Sequence, residues 1–457
     1  MKMKKNELTE LEISSLNNLG FGVARLDGFV VFVDGAVTGE RVLARIIKTT
    51  ASYAVARTEK ILSPSEYRTA ERCHLRGCKS CAYRAIDYGE EKRQKRENVI
   101  ADFKKAGISS IEVLPVASAD VTKEYRNKAQ YPVALDKNGE YVVGFFAPKS
   151  HRVTEAADCP LAPRVFSEII ELLRAFFKEY QISVYNEESG RGLLRHVYLR
   201  RGEISGEILL TLVINGKALP HSDRLSEKIR AAFSSVVGIL LNENTEKTNV
   251  ILGKRFTTLW GRDYIYDTLA GVRLKITAPS FYQVNHSGAE LLYATARELA
   301  GATESDTVLD LYCGAGSIGL SMAKEAGYII GVEIIESAVE CARENAKANG
   351  IENAAFFIGD AADTEGLLKN ARMPNGEAVS PDIVILDPPR GGCDGGLISY
   401  VASLSPRKIV YISCNPATQA RDCALFARLG YTTDKVAPVD MFPGTGHVES
   451  VVCLSRK

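Results

Sequence analysis

The chain has 457 residues, more than one ordinary hydrophobic core accommodates, so two to four domains are expected. Hydrophobic residues make up 46% and charged residues 25%, as in globular proteins. Basic and acidic side chains nearly cancel, 57 against 56, so a nucleic-acid surface must be a local patch. No apolar run approaches the roughly 20 residues of a membrane helix, and the N-terminus lacks the apolar segment of a secretory signal. A cytoplasmic protein without a membrane span is therefore expected.

The first 64 residues contain short β-prone runs separated by glycine-containing turns. Predicted strands cover residues 29–33, 42–46 and 53–56, with a turn at Asp34-Gly35. The pattern predicts a small antiparallel β-barrel similar to oligonucleotide-binding barrels. An edge subdomain without a ligand is the alternative.

The middle of the chain mixes both types of secondary structure. A charged stretch from Gly89 to about Lys105 is predicted to be a helix. Apolar residues recur at helical spacing between Phe166 and Tyr180, which predicts an amphipathic helix that packs on a core. The remainder of residues 111–270 has strand character, so an α+β domain is expected.

From about residue 305, apolar strands alternate with helices. Such alternation predicts a doubly wound α/β domain with a parallel sheet. The predicted strands cover residues 307–311, 328–332, 355–358, 383–386 and 408–413.

A glycine-rich turn at residues 314–319 follows the first of these strands. Missing β-carbons let the backbone approach a ligand closely, and ligands of this architecture bind outside the carboxyl ends of the strands. Four acidic residues, Asp310, Glu333, Asp360 and Asp387, lie at successive strand ends and should gather on that rim. Glu333 lies about 20 residues after the loop, where a ribose diol requires an acceptor.

The sequence Asp387-Pro388-Pro389 favours S-adenosylmethionine (SAM) over the dinucleotide of a dehydrogenase. On these motifs the chain resembles the RNA 5-methyluridine methyltransferase family, over nearly its whole length. The resemblance implies a multidomain α/β protein with three units. These are a TRAM β-barrel (residues 1–64), a central α+β cysteine-cluster and RNA-binding domain (65–88 and 118–270) and a Rossmann-like class I methyltransferase domain (89–117 and 271–457). It also implies a cofactor or target-base site lined by Gln283, Tyr312, Ser317, Glu333, Asp360 and Asp387.

Methylation of carbon 5 of uracil requires a nucleophile and a base. Carbon 5 becomes reactive once a thiolate adds at carbon 6, and a base must later remove the proton from carbon 5. Cys414 follows the fifth strand on the glycine-loop rim, although a buried apolar cysteine is the alternative. Glu449 ends a proline and glycine turn that leads into a predicted strand, residues 450–454, and a solvated acid at the strand start is the alternative. The resemblance implies that Cys414 is the nucleophile and Glu449 the base, because both segments match the family's catalytic motifs.

Four further cysteines, Cys73, Cys78, Cys81 and Cys159, have the spacing of a metal site. Thiolates at such spacing suit zinc or an iron-sulfur cluster, and spacing alone favours zinc. The resemblance implies a [4Fe-4S] cluster instead.

The expected partner is RNA, because the target base must leave its stack and flanking nucleotides must be held. Residues 125–132, 149–152 and 191–201 combine basic and aromatic side chains that could contact RNA. The resemblance implies 23S ribosomal RNA as the substrate rather than transfer RNA, because the shorter transfer-RNA members of the family lack the barrel and the cysteine set. A monomer is expected. A SAM-dependent N-methyltransferase and a non-catalytic RNA assembly factor are the alternative functions.

Overall fold

A computed structural model describes residues 3–457 except Arg72, Arg76, Lys149 and residues 364–365, 367, 369–375 and 377. Within this described part, the chain forms three large sheets and a two-stranded hairpin. No described helix is long and apolar enough to cross a membrane.

The first sheet occupies the N-terminal 64 residues. Its strands are β1 (Leu8–Glu12), β2 (Ser15–Leu16), β3 (Gly22–Leu26), β4 (Phe29–Asp34), β5 (Arg41–Thr49) and β6 (Tyr53–Ser63), in spatial order β1-β5-β6-β4-β3-β2. Alternate residues of β5 (Val42, Ala44 and Ile46) are fully buried and form its core. All pairs are antiparallel except β4 and β6, which are parallel. After β4 the chain crosses to β5 on the far side of β6, and β6 then runs antiparallel to β5 and parallel to β4. The predicted N-terminal barrel therefore contains one parallel pair among its antiparallel pairs.

A long helix, α1 (Tyr88–Lys105), follows the cysteine-bearing segment, as predicted. It begins where the Asp87 side chain accepts the backbone N–H groups of Gly89 and Glu90, which otherwise lack helical partners. Besides apolar residues, its buried face carries Glu91 and Lys95. Buried charges of this kind require close ionic partners.

The second sheet has the order β10-β9-β8-β11-β12-β13-β14. Two helices, α2 (Arg164–Glu179) and α3 (Ser222–Ala232), share its hydrophobic core, and α2 contributes Phe166, Ile169 and Leu173 as the periodicity predicts. The strands are β8 (Lys128–Leu135), β9 (Tyr141–Phe146), β10 (Val153–Glu155), β11 (Leu194–Arg201), β12 (Ile208–Ile214), β13 (Val236–Glu243) and β14 (Arg255–Gly261).

A hairpin of β15 (Tyr264–Leu269) and β16 (Val272–Thr277) joins the second sheet to the C-terminal region. Ile265 and Leu274 lie in the hydrophobic core of that C-terminal region. A domain boundary at residue 270 would cut the hairpin at its turn, whereas a boundary before Tyr264 keeps it whole.

The third sheet is the predicted α/β sheet. Its strands are β7 (Glu112–Val113), β17 (Thr307–Leu311), β18 (Tyr328–Glu333), β19 (Ala354–Ile358), β20 (Ile383–Leu386), β21 (Lys408–Ser413), β22 (Tyr431–Val439) and β23 (Glu449–Arg456). The order is β19-β18-β17-β20-β21-β23-β22-β7. The five strands β17 to β21 are parallel as predicted, and β23 is inserted antiparallel between β21 and β22.

Five helices and a short 3₁₀ helix accompany this sheet in the described residues. They are α4 (His286–Ala300), α5 (Ser317–Ser321), α6 (Glu336–Ala348), the 3₁₀ helix Ala361–Asp363, α7 (Gly395–Ser403) and α8 (Pro416–Arg428). Gln419 of α8 ties the two strands that carry the proposed catalytic residues. Its Nε2 donates to the carbonyls of Tyr411 (2.7 Å) and Ser450 (3.0 Å), and its Oε1 accepts from the Ser450 hydroxyl (2.6 Å).

Replacement of this amide should weaken the folded state. Gln419→Leu leaves two buried carbonyls and one hydroxyl without these partners, so the free energy of unfolding should fall by about 3 kcal/mol. Urea unfolding measures the change. Arg428→Gln, at an exposed site of the same helix, is the control and should cost less than about 0.5 kcal/mol. Equal stability of both variants would contradict the assigned bonds.

Candidate active site

The glycine loop connects β17 to α5 and brings backbone N–H groups to the sheet edge. Tyr312 has φ 65°, a left-handed conformation that is strained for residues with a β-carbon and is common at functional sites. Gly314 and Gly316 also have positive φ, and a β-carbon at Gly314 would meet nothing within 4 Å. The loop therefore presents an open backbone face. Ser317, the first residue of α5, shares a 2.7 Å hydrogen bond between its hydroxyl and that of Tyr293.

Two of the acidic residues hold this loop in place. Glu333, at the end of β18, accepts from the Gly314 N–H (3.2 Å) through one oxygen and from the Ile335 N–H (2.9 Å) through the other. Asp310 is fully buried and accepts from the Gly319 N–H (2.9 Å) through Oδ2. Its Oδ1 has no partner among the described residues. A buried acceptor of this kind suits a ligand's amino group.

The predicted nucleophile and base lie on neighbouring strands. Cys414 directly follows β21, and Glu449 begins β23. Burial raises the pKa of the half-buried Cys414 thiol, and the Glu449 carboxylate raises it further. Arg390 opposes this shift through a hydrogen bond to the thiol. The Arg390 carbonyl accepts from the Asn415 side chain (3.0 Å), which fixes the turn that carries Cys414. Arg390 was not identified from the sequence, although it directly follows Asp387-Pro388-Pro389.

Burial dominates the electrostatics of the carboxyl groups. It raises the pKa of Asp387 to about 7 and, together with the nearby Asp387, raises the pKa of Glu449 to about 8. Asp310 reaches about 7 for the same reason. A buried carboxyl favours its neutral form because the charged form loses hydration. A cationic ligand would reverse this preference.

Asp360 and Gln283 occupy the margins of the site. Asp360 follows β19 and is close enough to Tyr312 to raise the pKa of its hydroxyl, although burial and Cys393 contribute more. Gln283 is buried, and its backbone carbonyl accepts from the Asn127 side chain (2.8 Å). The structure therefore places all six residues proposed to line the cofactor or target-base site in the C-terminal region, most of them at the carboxyl ends of its strands.

A pocket adjoins Cys414, between the first sheet, α1 and the loop before β23. We call it the Cys414 pocket and use the name catalytic loop for residues 440–448. The first sheet contributes the connection between β2 and β3, which was not expected to reach Cys414. The pocket is lined by Asn17, Asn18, Asn98, Val99, Ala101, Asp102, Arg390, Cys414, Asn415, Pro416, Ala417, Gly446, His447 and Val448.

The four cysteines of the predicted metal site lie together, far from Cys414 in sequence. Cys73, Cys81 and Cys159 line one small cavity, and Cys78 packs in the same apolar cluster. Burial and the neighbouring thiols raise the pKa of Cys81 to about 12, while Arg126 opposes the shift. None of the ten cysteines forms a disulfide. In the described residues, no group of three His, Cys, Asp or Glu side chains could hold a single metal ion.

Several basic residues proposed to contact RNA are structural. Arg195 and Arg200 are almost fully buried. Arg195 donates to the carbonyls of Asn244 and Glu246, and Arg200 to those of Thr277 and Ser280. As RNA contacts these two arginines were wrong predictions, because the extended strand β11 turns them toward neighbouring backbone.

The other proposed RNA-contact stretches also contain both buried and exposed residues. Tyr125 and Tyr131, in the first basic and aromatic stretch, are also buried. Arg152 is exposed, whereas Lys149 lies outside the described residues.

A parallel sheet with a glycine loop after its first strand and acids at successive strand ends defines a Rossmann-like, SAM-dependent methyltransferase. Residues 87–457 match the model of the tRNA (uracil-5-)-methyltransferase family, and residues 3–58 match the TRAM domain. The chain belongs to the tRNA (uracil-5-)-methyltransferase family. The predicted fold class and enzyme class are thereby confirmed.

Similar proteins extend over the whole chain. An uncharacterized RNA methyltransferase of Clostridium acetobutylicum is 39% identical over 99% of this chain and 98% of its own length. One of Streptococcus mutans is 40% identical over 99% and 100%. The crystal structure of Pyrococcus abyssi tRNA (uracil-54, C5)-methyltransferase with S-adenosyl-L-homocysteine has 27% identity, a TM-score of 0.78 and coverage of 98% and 100%.

The raised pKa of Glu449 predicts a pH-dependent stability. Its pKa is about 8 when folded, against an ordinary value of 4.5, so the folded chain binds this proton more tightly. The contribution of Glu449 to stability is complete below about pH 4.5 and is lost as pH rises toward 8. Glu449→Gln removes this loss. Relative to wild type, it should gain up to about 1.4 kcal/mol of unfolding free energy per pH unit in that window. Denaturant unfolding from pH 5 to 8 checks the slope, and parallel curves would contradict it.

Proposed function

We propose that the enzyme methylates carbon 5 of a specific uridine in RNA, with 23S ribosomal RNA as the favoured substrate, Cys414 as the nucleophile and Glu449 as the base. The observation that carries the proposal is that Cys414 and Glu449 lie at the adjoining ends of paired strands, where Ser413 pairs with Ser450, beside a pocket lined by Cys414 and Arg390. An N-methyltransferase requires no thiol in that position.

The reaction needs two covalent events at the pyrimidine ring. The Cys414 thiolate adds to carbon 6, and the electron pair of the former double bond makes carbon 5 nucleophilic. After carbon 5 carries the methyl group, the Glu449 carboxylate takes its proton. The C–H electron pair restores the double bond while the bond from carbon 6 to Sγ breaks. Arg390 favours the thiolate that begins and ends this sequence because its positive charge stabilises the anion.

SAM supplies an electrophilic methyl group when bound. Residues 312–317, Glu333 and Asp360 would hold it, with Asp310 Oδ1 as an acceptor beside the loop. The buried Asp387 and Glu449 suit a sulfonium ion, because a positive charge favours their ionised forms. Ionisation of the Glu449 carboxyl would also prepare it to accept a proton as the base.

The cysteine set is proposed to hold a [4Fe-4S] cluster, with zinc as the alternative. Four thiolates are the usual ligands of such a cluster, and the free thiols of Cys73, Cys78, Cys81 and Cys159 supply this donor set. Arg126 would offset part of the negative charge of the thiolates. The cluster would be a fold element or an RNA-binding element, since SAM and Cys414 supply the chemistry.

RNA containing 5-fluorouridine should trap the enzyme. A base can remove hydrogen from carbon 5 as a proton but cannot remove fluorine in this way. The bond between carbon 6 and Cys414 Sγ therefore stays intact. Wild type with SAM should form an adduct stable to SDS electrophoresis, and Cys414→Ala should form none. Cys423→Ala is the matched control, because Cys423 is fully buried in α8 and lies outside the site; its adduct should persist.

Two transcripts, 23S ribosomal RNA and transfer RNA, decide between the substrate classes in the same experiment. The archaeal enzyme of similar fold acts on transfer RNA, so trapping by transfer RNA alone would correct the substrate. Methyl transfer by Cys414→Ala would contradict the mechanism.

Metal analysis tests the cysteine site. Protein purified without oxygen should contain about four irons and four sulfides per chain. Cys81→Ser should lower both, whereas Cys341→Ser, in α6, should not. Zinc in stoichiometric amount and no iron would contradict the proposed cluster.

A further inference from the structure

A buried charge network connects α1 to the catalytic loop. The Lys95 side chain is fully buried, and its Nζ lies 2.8 Å from Glu91 Oε1 and 2.7 Å from Asp440 Oδ1. It also donates to the carbonyl of Phe442 (3.2 Å). An ammonium group has three donors, and these three bonds use all of them.

Two partners of Lys95, Glu91 and Asp440, form further hydrogen bonds with the backbone of the loop. Glu91 Oε1 also accepts the backbone N–H of Gly444 (2.6 Å). Asp440 Oδ1 accepts the N–H of Phe442 (3.0 Å), and its Oδ2 accepts from the Tyr88 hydroxyl (2.9 Å). One lysine therefore fixes residues 440, 442 and, through Glu91, 444.

The anchored segment is the one that shapes the site. Asp440 directly follows Val439, the cross-strand partner of Glu449 in the β22–β23 pair. Farther along the loop, Gly446, His447 and Val448 line the Cys414 pocket. A displaced loop would move both the pocket wall and the start of the strand that carries the base.

Stability is a weak explanation for this network. Burying an ion pair removes the hydration of both charges, and apolar side chains of similar volume commonly serve as well. Hydrogen bonds are directional, whereas apolar contacts are not. The three bonds from Lys95 Nζ therefore fix the positions of the loop groups that accept them.

We infer that Lys95 is a positioning residue, which acts through the catalytic loop to hold Glu449 against carbon 5 of the target base. This inference rests on the proposed function. In the affected step, Glu449 takes the proton from methylated carbon 5. The C–H electron pair becomes the C5–C6 double bond, and the C6–Sγ bond breaks with its electrons on Sγ.

The adduct lifetime reports this step directly. Enzyme, SAM and a 23S ribosomal RNA transcript, or the transfer RNA transcript if only that one traps the enzyme, are mixed in a single turnover. SDS electrophoresis then follows the RNA adduct. Lys95→Met should slow release of the adduct about 10- to 100-fold, a larger factor than the slowing of adduct formation that the displaced pocket wall causes. Lys104→Met, at an exposed site on the same helix, should behave as wild type.

A double-variant comparison separates positioning from general destabilisation. Glu449→Gln alone should accumulate the adduct, and adding Lys95→Met should slow its release no further, because both changes act on one step. Equal slowing by Lys95→Met in both backgrounds, or normal release by the single variant, overturns the inference.

A milder variant covers the case in which Lys95→Met does not fold. Asp440→Asn keeps the shape of the side chain and removes one charge of the network. Its release should also be slowed, again without further effect in the Glu449→Gln background. Normal release by Asp440→Asn then overturns the inference. Failure of wild type to form any adduct overturns the proposed function as well, so the two failures are distinguishable.

Discussion

The carboxyl ends of parallel strands open on one edge of a sheet, and the arrangement of the site depends on this constraint. Strands β17 to β21 bring residues separated by about a hundred positions to that edge, from Asp310 to Cys414. The antiparallel insertion of β23 beside β21 then starts a strand where β21 ends, as the pairing of Ser413 with Ser450 shows. Cys414 and Glu449 consequently face the same space from opposite strand directions.

A second constraint joins the three parts of the chain at the catalytic loop. A β-carbon at Gly446 would lie 1.8 Å from the carbonyl oxygen of Asn18, so only glycine permits this contact with the first sheet. Tyr83, beside the cysteine segment, donates its N–H to the carbonyl of Gly444 (2.9 Å). Tyr125 donates its hydroxyl to the carbonyl of Pro443 (2.9 Å). The TRAM unit, the cysteine segment and the central region thus all contact the loop that borders Cys414, the proposed nucleophile.

Local patterns predicted much of the fold but little of these long-range contacts. The strand Thr307–Leu311 and the end of α1 at Lys105 follow from apolar periodicity and charge, which are encoded by neighbouring residues. The parallel β4–β6 pair does not, because it depends on where an intervening strand packs. Arg195 illustrates a further limit. A basic residue in a strand has the same local signal whether it faces RNA or a buried carbonyl, and only the tertiary fold distinguishes them.

The electrostatics of the site show why its parts are interdependent. Asp310, Asp387 and Glu449 are buried near one another, and burial raises the pKa of each carboxyl group well above its ordinary value. A low-dielectric site lined by carboxyl groups binds a cation more favourably than water-exposed acids would, because there is less hydration to compete. The sulfonium of SAM is such a cation. In the proposed mechanism Glu449 is the base, and the ionised form that a bound sulfonium would favour is also the form that accepts a proton. The same buried acids would therefore serve both cofactor binding and the proposed proton abstraction.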